Sequence, residues 1–330
     1  MKSDRKEKRS KLRLSLHISP DATDDELLFA RQLGVECVFT WVRKEHMGIT
    51  SLTRLHRKVQ DAGLTLHNVG NLSVGKCDKI HLALPGRDEK IDAFRQFLRD
   101  LSSAGIHVTT LTWEPTGVWS SNERGQSRRA SARRVEMEEL SRRPLKYGRQ
   151  YSETEIWDNF AYFMKQIIPV AEETGVRLAL HPNDPPVPAL GGVPCLIHSF
   201  KCYKRAFEIA DSDALGMEFC TGCWLEGGDA FGDIEADLRW CSEQGRICIV
   251  HFRNVSAPLP DFTETFLDNG YKDMCRLMKI LVETGYAGTV TLDHTPAFVE
   301  SAGLGSGTAY AIGYMRALLE RAGAEYSDAQ

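Results

Sequence analysis

Four residues of metal-binding type end four successive apolar runs in the second half of this 330-residue chain. His181 follows Leu178-Ala179-Leu180, and Cys220 follows Met217-Glu218-Phe219. His251 follows Ile247-Cys248-Ile249-Val250, and Asp293-His294 follow Thr289-Val290-Thr291-Leu292. Taken singly, each such residue reads as a loop or capping residue. Taken together, two imidazoles, a thiol and a carboxylate make a mixed N/S/O donor set for a divalent transition metal. Zinc suits the thiol and imidazoles, and the carboxylate also admits manganese, iron, cobalt or nickel.

The elements that must hold these residues are legible as an alternation. Apolar runs of strand length begin near Leu12, Val35, Leu64, His107, Arg177, Leu215, Ile247 and Thr289, in the manner of strands buried on both faces. Amphipathic helical stretches lie between them. Thr23-x-x-Glu26 and Ser152-x-x-Glu155 read as capping boxes, and Gly63, Gly105, Gly175 and Gly285 follow helix ends before the next strand. Eight strand–helix units predict an α/β protein built as a (β/α)8 TIM barrel, in which strand C-termini converge on one pocket. An open doubly wound sheet is the competing architecture, but no GxGxxG follows the first strand. The expected organisation is a flexible start (1–11), one barrel domain (12–322) and a flexible tail (323–330). A long insertion at about 114–151 follows strand four. Its residues 121–150 hold eight Arg and one Lys against four Glu. They read either as a solvated loop or as an arginine-rich lid over an anionic substrate.

Composition narrows the function. A net charge of −4 gives the whole molecule no attraction for nucleic acid or anionic membrane, and aromatics are too scarce in the basic segment for base stacking. No apolar run approaches the roughly 18 residues of a membrane span. The basic N-terminal stretch leads into no apolar signal core, so a cytoplasmic protein is expected. The nine cysteines show no disulfide-scaffold spacing. The single close pair, Cys220-Thr-Gly-Cys223, reads as a redox pair or half a zinc site, and no second CxxC completes the latter.

His181-Pro-Asn-Asp-Pro-Pro186 closely resembles the HPDDPP signature of the mannonate dehydratase family. Phe219-Cys-Thr-Gly222, His251-Phe-Arg-Asn254 and Asp293-His294 are similar to its later motifs, in the same order, from about residue 153 to 320. The resemblance implies a TIM barrel related to xylose isomerase-like enzymes and a divalent ion, commonly manganese. It implies His181, Cys220, His251 and Asp293 as ligands, and conversion of D-mannonate to 2-keto-3-deoxy-D-gluconate plus water. This chain departs from the family at Asn183 and at Thr295-Pro296. It also lacks the family's catalytic tyrosine in Gly303-Leu-Gly-Ser-Gly-Thr308, where Tyr310 is the nearest replacement.

Dehydrating a sugar acid removes the proton α to a carboxylate and expels the neighbouring hydroxyl. Arg253 shares a strand face with His251, so it could bind the carboxylate bidentately or pair with a neighbouring acid. His294 is the candidate for proton transfer, or a partner that orients Asp293. Asn183 and Asp184 could orient His181 or contact hydroxyls. One of Trp113 and Glu114 should face the pocket, to stack on the sugar or bind its hydroxyls; core packing and a surface acid are the competing readings. Glu218 shares the face of Cys220, as a further ligand, a hydroxyl contact or part of the barrel interior. The expected partner is a small-molecule sugar acid, with no nucleic acid and no membrane, and a homo-oligomer is compatible with the chain. An isomerase or epimerase on the same barrel, an endonuclease-IV-like hydrolase and a non-catalytic relative remain open at this point.

Overall fold

The computed structural model describes residues 12–303 and 305–328. Eight parallel strands form the barrel: β1 (Arg13–His17), β2 (Cys37–Val42), β3 (Thr65–Asn71), β4 (Val108–Thr112), β5 (Arg177–His181), β6 (Leu215–Cys220), β7 (Ile247–Phe252) and β8 (Thr289–Leu292). Their hydrogen-bonded order is β3-β2-β1-β8-β7-β6-β5-β4. All six residues of β6 and of β7 are buried, which is why these strands read as continuous apolar runs.

The ring closes between β3 and β4 chiefly by side chains, with one backbone bond beyond β3, from the Thr112 amide to the Gly75 carbonyl at 3.0 Å. Asn68 Nδ2 donates to Thr110 Oγ1 at 2.9 Å, and Asn68 Oδ1 accepts from the Thr110 amide at 3.0 Å. Thr109 Oγ1 donates to the Val69 carbonyl at 2.7 Å. A primary amide carries both donor and acceptor, so Asn68 stands in for a peptide group along this seam.

Eight helices surround the strands: α1 (Asp24–Gln32), α2 (Ile49–Asp61), α3 (Arg87–Ser103), α4 (Glu153–Thr174), α5 (Phe200–Ala210), α6 (Ile234–Glu243), α7 (Met274–Glu283) and α8 (Ser306–Asp328). The box at Ser152 is complete: its hydroxyl accepts from the Glu155 amide at 3.2 Å, and the Glu155 carboxylate accepts from the Ser152 amide at 2.7 Å. Gly175 then ends α4 with φ of 64°, a left-handed cap that glycine adopts without penalty. The box at Thr23 is half formed, because Glu26 accepts from the Ser19 amide at 2.7 Å instead. Behind β4, Phe94, Phe97, Phe160 and Phe163 of α3 and α4 pack into the outer core.

The insertion after β4 is folded. Gly125–Ser127 and Ala130–Ala132 form a hairpin, and Met137–Ser141 is a short helix. Arg134–Glu136 pairs antiparallel with Asp261–Thr265, which also pairs with Asn254–Val255. The segment is therefore a third strand on a small sheet that rises from the β7–α7 connection. Helix α8 continues to Asp328, where a flexible tail from 323 was expected. The predicted flexible start (1–11) lies outside the described residues.

Candidate metal centre

The ends of β5, β6 and β7 bring His181, Cys220 and His251 together: one donor atom from each lies within 4.8 Å of the others. His181 Nδ1 donates to the Pro182 carbonyl at 2.7 Å, which fixes the tautomer and leaves Nε2 with its lone pair. His251 is buried, and neither of its ring nitrogens makes a hydrogen bond. Its Nε2 lies against the Glu218 carboxylate and its Nδ1 lies 3.6 Å from Asp293 Oδ1, contacts without hydrogen-bond geometry. A buried imidazole whose nitrogens face carboxylates without a well-formed hydrogen bond is costly unless something else engages it. The donor chemistry of this cluster fits a divalent ion. Burial raises the Cys220 pKa, but the Cys223 thiol, the Arg253 guanidinium and the two imidazoles outweigh it and pull it well below the usual thiol range. The thiolate is the form that binds metal. Burial opposes protonation of His251, but Glu218 and Asp293 override it and favour the protonated ring, so an ion bound there would displace a proton.

Asp293 borders this cluster. Its Oδ2 accepts from Arg253 Nε at 2.9 Å and lies 3.9 Å from Cys220 Sγ, while its Oδ1 is 3.0 Å from His294 Nε2. His294 Nδ1 is 3.2 Å from Glu264 Oε1, and half of its side chain is exposed. The Asp293 carboxylate, opposed by burial and helped by Glu264, raises the His294 pKa to about 9.

Behind the donors lies a second, largely buried layer in which two guanidiniums meet four carboxylates. Arg253 Nη1 contacts Glu226 at 2.5 Å and Glu264 at 2.9 Å, its Nη2 contacts Asp184 at 3.3 Å, and its Nε holds Asp293. Arg133 reaches in from the insertion, with Asp184 at 2.5 Å, Glu264 at 3.2 Å and Glu226 at 3.3 Å. The carboxylates of Glu226 and Asp184 lie beside Cys223, so these two cations neutralise what would otherwise be a second acidic cluster.

Several residues expected to touch substrate are engaged elsewhere. Arg253 has no exposed surface and each of its nitrogens is matched to an acid, so its role as a carboxylate clamp is replaced by the competing reading. Asn183 donates to the Trp113 carbonyl at 3.0 Å and accepts from the Ile197 amide at 2.8 Å, and so shapes the loop after β5. Asp184 is held by both arginines. Trp113 packs against His81, Phe160 and Phe163 outside the barrel, because strand alternation turns its neighbour Thr112 the other way. Glu114 is buried and accepts from Lys76 Nζ at 2.9 Å and the Asp184 amide at 2.9 Å. Tyr310 lies on α8, where its hydroxyl donates to Asp268 at 2.7 Å beside Arg128, Phe266 and Phe298; none of these contacts reaches the donor cluster. Glu218 sits beside His251, on the face that strand alternation assigns to it.

Arg133, Glu226 and Glu264 were not singled out in the sequence. Arg133 is one of eight arginines in its segment, without any periodicity to distinguish it. Glu226 and Glu264 lie beyond the strand ends, in a short helix and a loop strand that carry no barrel signal.

Comparisons with known proteins agree with this architecture. The sequence profile of the D-mannonate dehydratase (UxuA) family matches residues 25–131 and 126–327. The mannonate dehydratase of Geobacillus thermodenitrificans is 27% identical over 282 residues, covering 74% of this chain and 75% of that protein. That of Enterococcus faecalis is 29% identical over 282 residues, with 74% and 77% covered. The crystal structure of the Streptococcus suis mannonate dehydratase superposes with a TM-score of 0.84 at 25% identity, covering 94% of this chain and 95% of that one. An L-ribulose 3-epimerase shares the fold alone, with a TM-score of 0.61 at 15% identity over 97% of this chain and 98% of that one. Eight strand–helix units, a donor cluster at the ends of β5 to β7 and a profile match that spans nearly the whole barrel lead to one assignment: this chain belongs to the D-mannonate dehydratase family.

Proposed function

We propose that the protein is a metal-dependent hydro-lyase for a sugar acid, with D-mannonate going to 2-keto-3-deoxy-D-gluconate plus water as the leading reaction. The observation that carries this reading is the His181–Cys220–His251 cluster, in which Cys220 and His251 are buried and both nitrogens of His251 are without hydrogen bonds. His181, Cys220 and His251 hold the ion, and Asp293 at the cluster's edge joins them or orients them. The donor set accepts manganese, iron, cobalt, nickel or zinc, and family membership favours manganese. A divalent ion in such a site supplies Lewis-acid stabilisation of the negative charge that develops when the α-proton leaves.

The chain's own groups supply the rest. His294 is the proton-transfer residue, because it is half exposed and held between the Asp293 and Glu264 carboxylates. Its ring would take up the α-proton and return it to the departing hydroxyl, so that the proton removed leaves in the water. Arg253 and Arg133 hold the acids in place and keep the floor of the site electrostatically balanced. Tyr310, on the far side of Asp268, has no part in this scheme.

The test is turnover of D-mannonate by manganese-loaded protein, with detection of the 2-keto-3-deoxy product. Cys220→Ala and His181→Ala should each lose both bound metal and product formation. Full metal content and turnover in either variant would remove that residue from the site. A product with the formula of the substrate would replace the lyase reading with an epimerase one.

A further inference from the structure

The Cys220-Thr-Gly-Cys223 pair does more than contribute one ligand. Cys220 ends β6, and Cys223 lies three residues on, in the first turn of the helix Thr221–Gly227. Cys220 is the extended N-cap residue of that helix and Cys223 its third residue, the two positions whose side chains meet in a capping box. Each sulfur is among the groups that shift the proton affinity of the other, so the two are neighbours. A single nitrogen, Arg253 Nη2, lies 3.8 Å from Cys220 Sγ and 3.9 Å from Cys223 Sγ. Neither cysteine is in a disulfide. Cys220 groups with His181 and His251, whereas Cys223 groups with Asp184 and Glu226. The Cys220 sulfur thus stands between two alternatives, the imidazoles on one side and a second thiol on the other.

We propose that Cys220 and Cys223 close a reversible disulfide in the metal-free protein, and that this bond and the metal ion exclude each other. The exclusion rests on the reading of Cys220 as a ligand; the pairing of the sulfurs does not. With hydrogen peroxide as oxidant, the Cys220 thiolate attacks one peroxide oxygen. An S–O bond forms, the O–O bond breaks, and the departing hydroxide takes up a proton as water. The Cys223 sulfur then attacks Cys220 Sγ. The S–S bond forms, the S–O bond breaks, and the second hydroxide leaves as water with the Cys223 proton. Two thiols are oxidised and one peroxide is reduced to two waters. A disulfide sulfur has no thiolate charge to offer an ion, so the donor set falls to two imidazoles and the bordering Asp293. A bound ion has the opposite effect, because it occupies the sulfur lone pair that attacks peroxide.

Chelator-stripped and manganese-loaded full-length protein are treated with hydrogen peroxide and analysed by intact mass, peptide mapping and metal content. The stripped protein should lose two hydrogens and give a Cys220–Cys223 linked peptide. It should then fail to take up manganese until dithiothreitol restores it. The loaded protein should resist both changes. Cys223→Ser, with Cys223→Ala as a second variant should serine disturb folding, should form no linked peptide and should gain oxygen on Cys220 instead. Oxygen addition at Cys220 without a linked peptide in the unaltered protein would overturn the proposal. A linked peptide with undiminished manganese uptake would also overturn it, and would trace the failure to the ligand role of Cys220 rather than to the geometry of the pair.

Discussion

Replacing Arg133 by methionine removes a guanidinium from a point where three carboxylates converge. Arg133 lies 2.5 Å from Asp184, 3.2 Å from Glu264 and 3.3 Å from Glu226, with only 9% of its side chain exposed. Methionine keeps much of the apolar stem, so the loss is chiefly of charge and donors. Arg253 remains, but its nitrogens are already shared among Asp184, Glu226, Glu264 and Asp293. Removing one partner from a buried ionic cluster costs about 3–5 kcal/mol. That is a large part of the roughly 5–15 kcal/mol that keeps a typical domain folded. Arg133 also donates to the Trp119 carbonyl at 2.8 Å and the Ser120 hydroxyl at 3.0 Å, so its loss loosens the insertion internally as well as at the acids it meets. Urea denaturation of Arg133→Met should show a destabilisation of this size, and brief proteolysis should cut residues 121–150 faster than in the unaltered protein. Arg133→Lys keeps the charge but cannot span three acids, and should fall between the two. A methionine variant within about 1 kcal/mol of the parent, the range of an exposed pair, and with an unchanged cleavage rate would refute the argument.

Two further perturbations test the scaffold. His81 is buried against Trp113, with ring centroids 4.4 Å apart, and burial, reinforced by Lys76, lowers its pKa from 6.5 to about 3. A lowered folded-state pKa means that the stability tied to the neutral ring is full above pH 6.5 and is lost as pH falls toward 3. Near pH 5 that loss amounts to about 2 kcal/mol, so His81→Phe should flatten the fall in unfolding free energy between about pH 8 and 5; parallel pH profiles would defeat the assignment. At the β3–β4 seam, Asn68→Ala leaves the Thr110 amide buried without its acceptor, at a cost of about 1–3 kcal/mol, and should speed hydrogen exchange at that amide; unaltered exchange would show that Asn68 does not close the ring.

The sequence carried the barrel and the donor cluster for the same reason. A parallel strand buried on both faces is an apolar run, and the first polar residue after it marks the end at which barrel sites are built. Strand alternation also linked Glu218 with Cys220, and both reach the His251 environment. The fate of Arg253 was not legible, because the acids that claim it come from outside the strands: Glu226 from a seven-residue helix and Glu264 from a loop strand. The insertion was opaque for a related reason. Its hairpin strands, Gly125–Ser127 and Ala130–Ala132, have three residues each, too few for a period-two pattern to show. Trp113 illustrates a one-residue ambiguity, since the point at which β4 gives way to loop decides which neighbour turns inward.

The unequal closure of the ring bears on how the chain can change length. Seven of the eight strand neighbours are joined by backbone ladders, and slipping any of those by one residue would exchange every inward side chain for an outward one. At the eighth junction the register depends on Asn68, Thr109 and Thr110. Segments gained or lost between Gly75, whose carbonyl accepts from the Thr112 amide, and Val108 therefore leave the seven ladders in register, provided these three side chains still meet. In a lineage of such barrels, that connection is where length is free to drift while the four strand ends opposite keep their spacing.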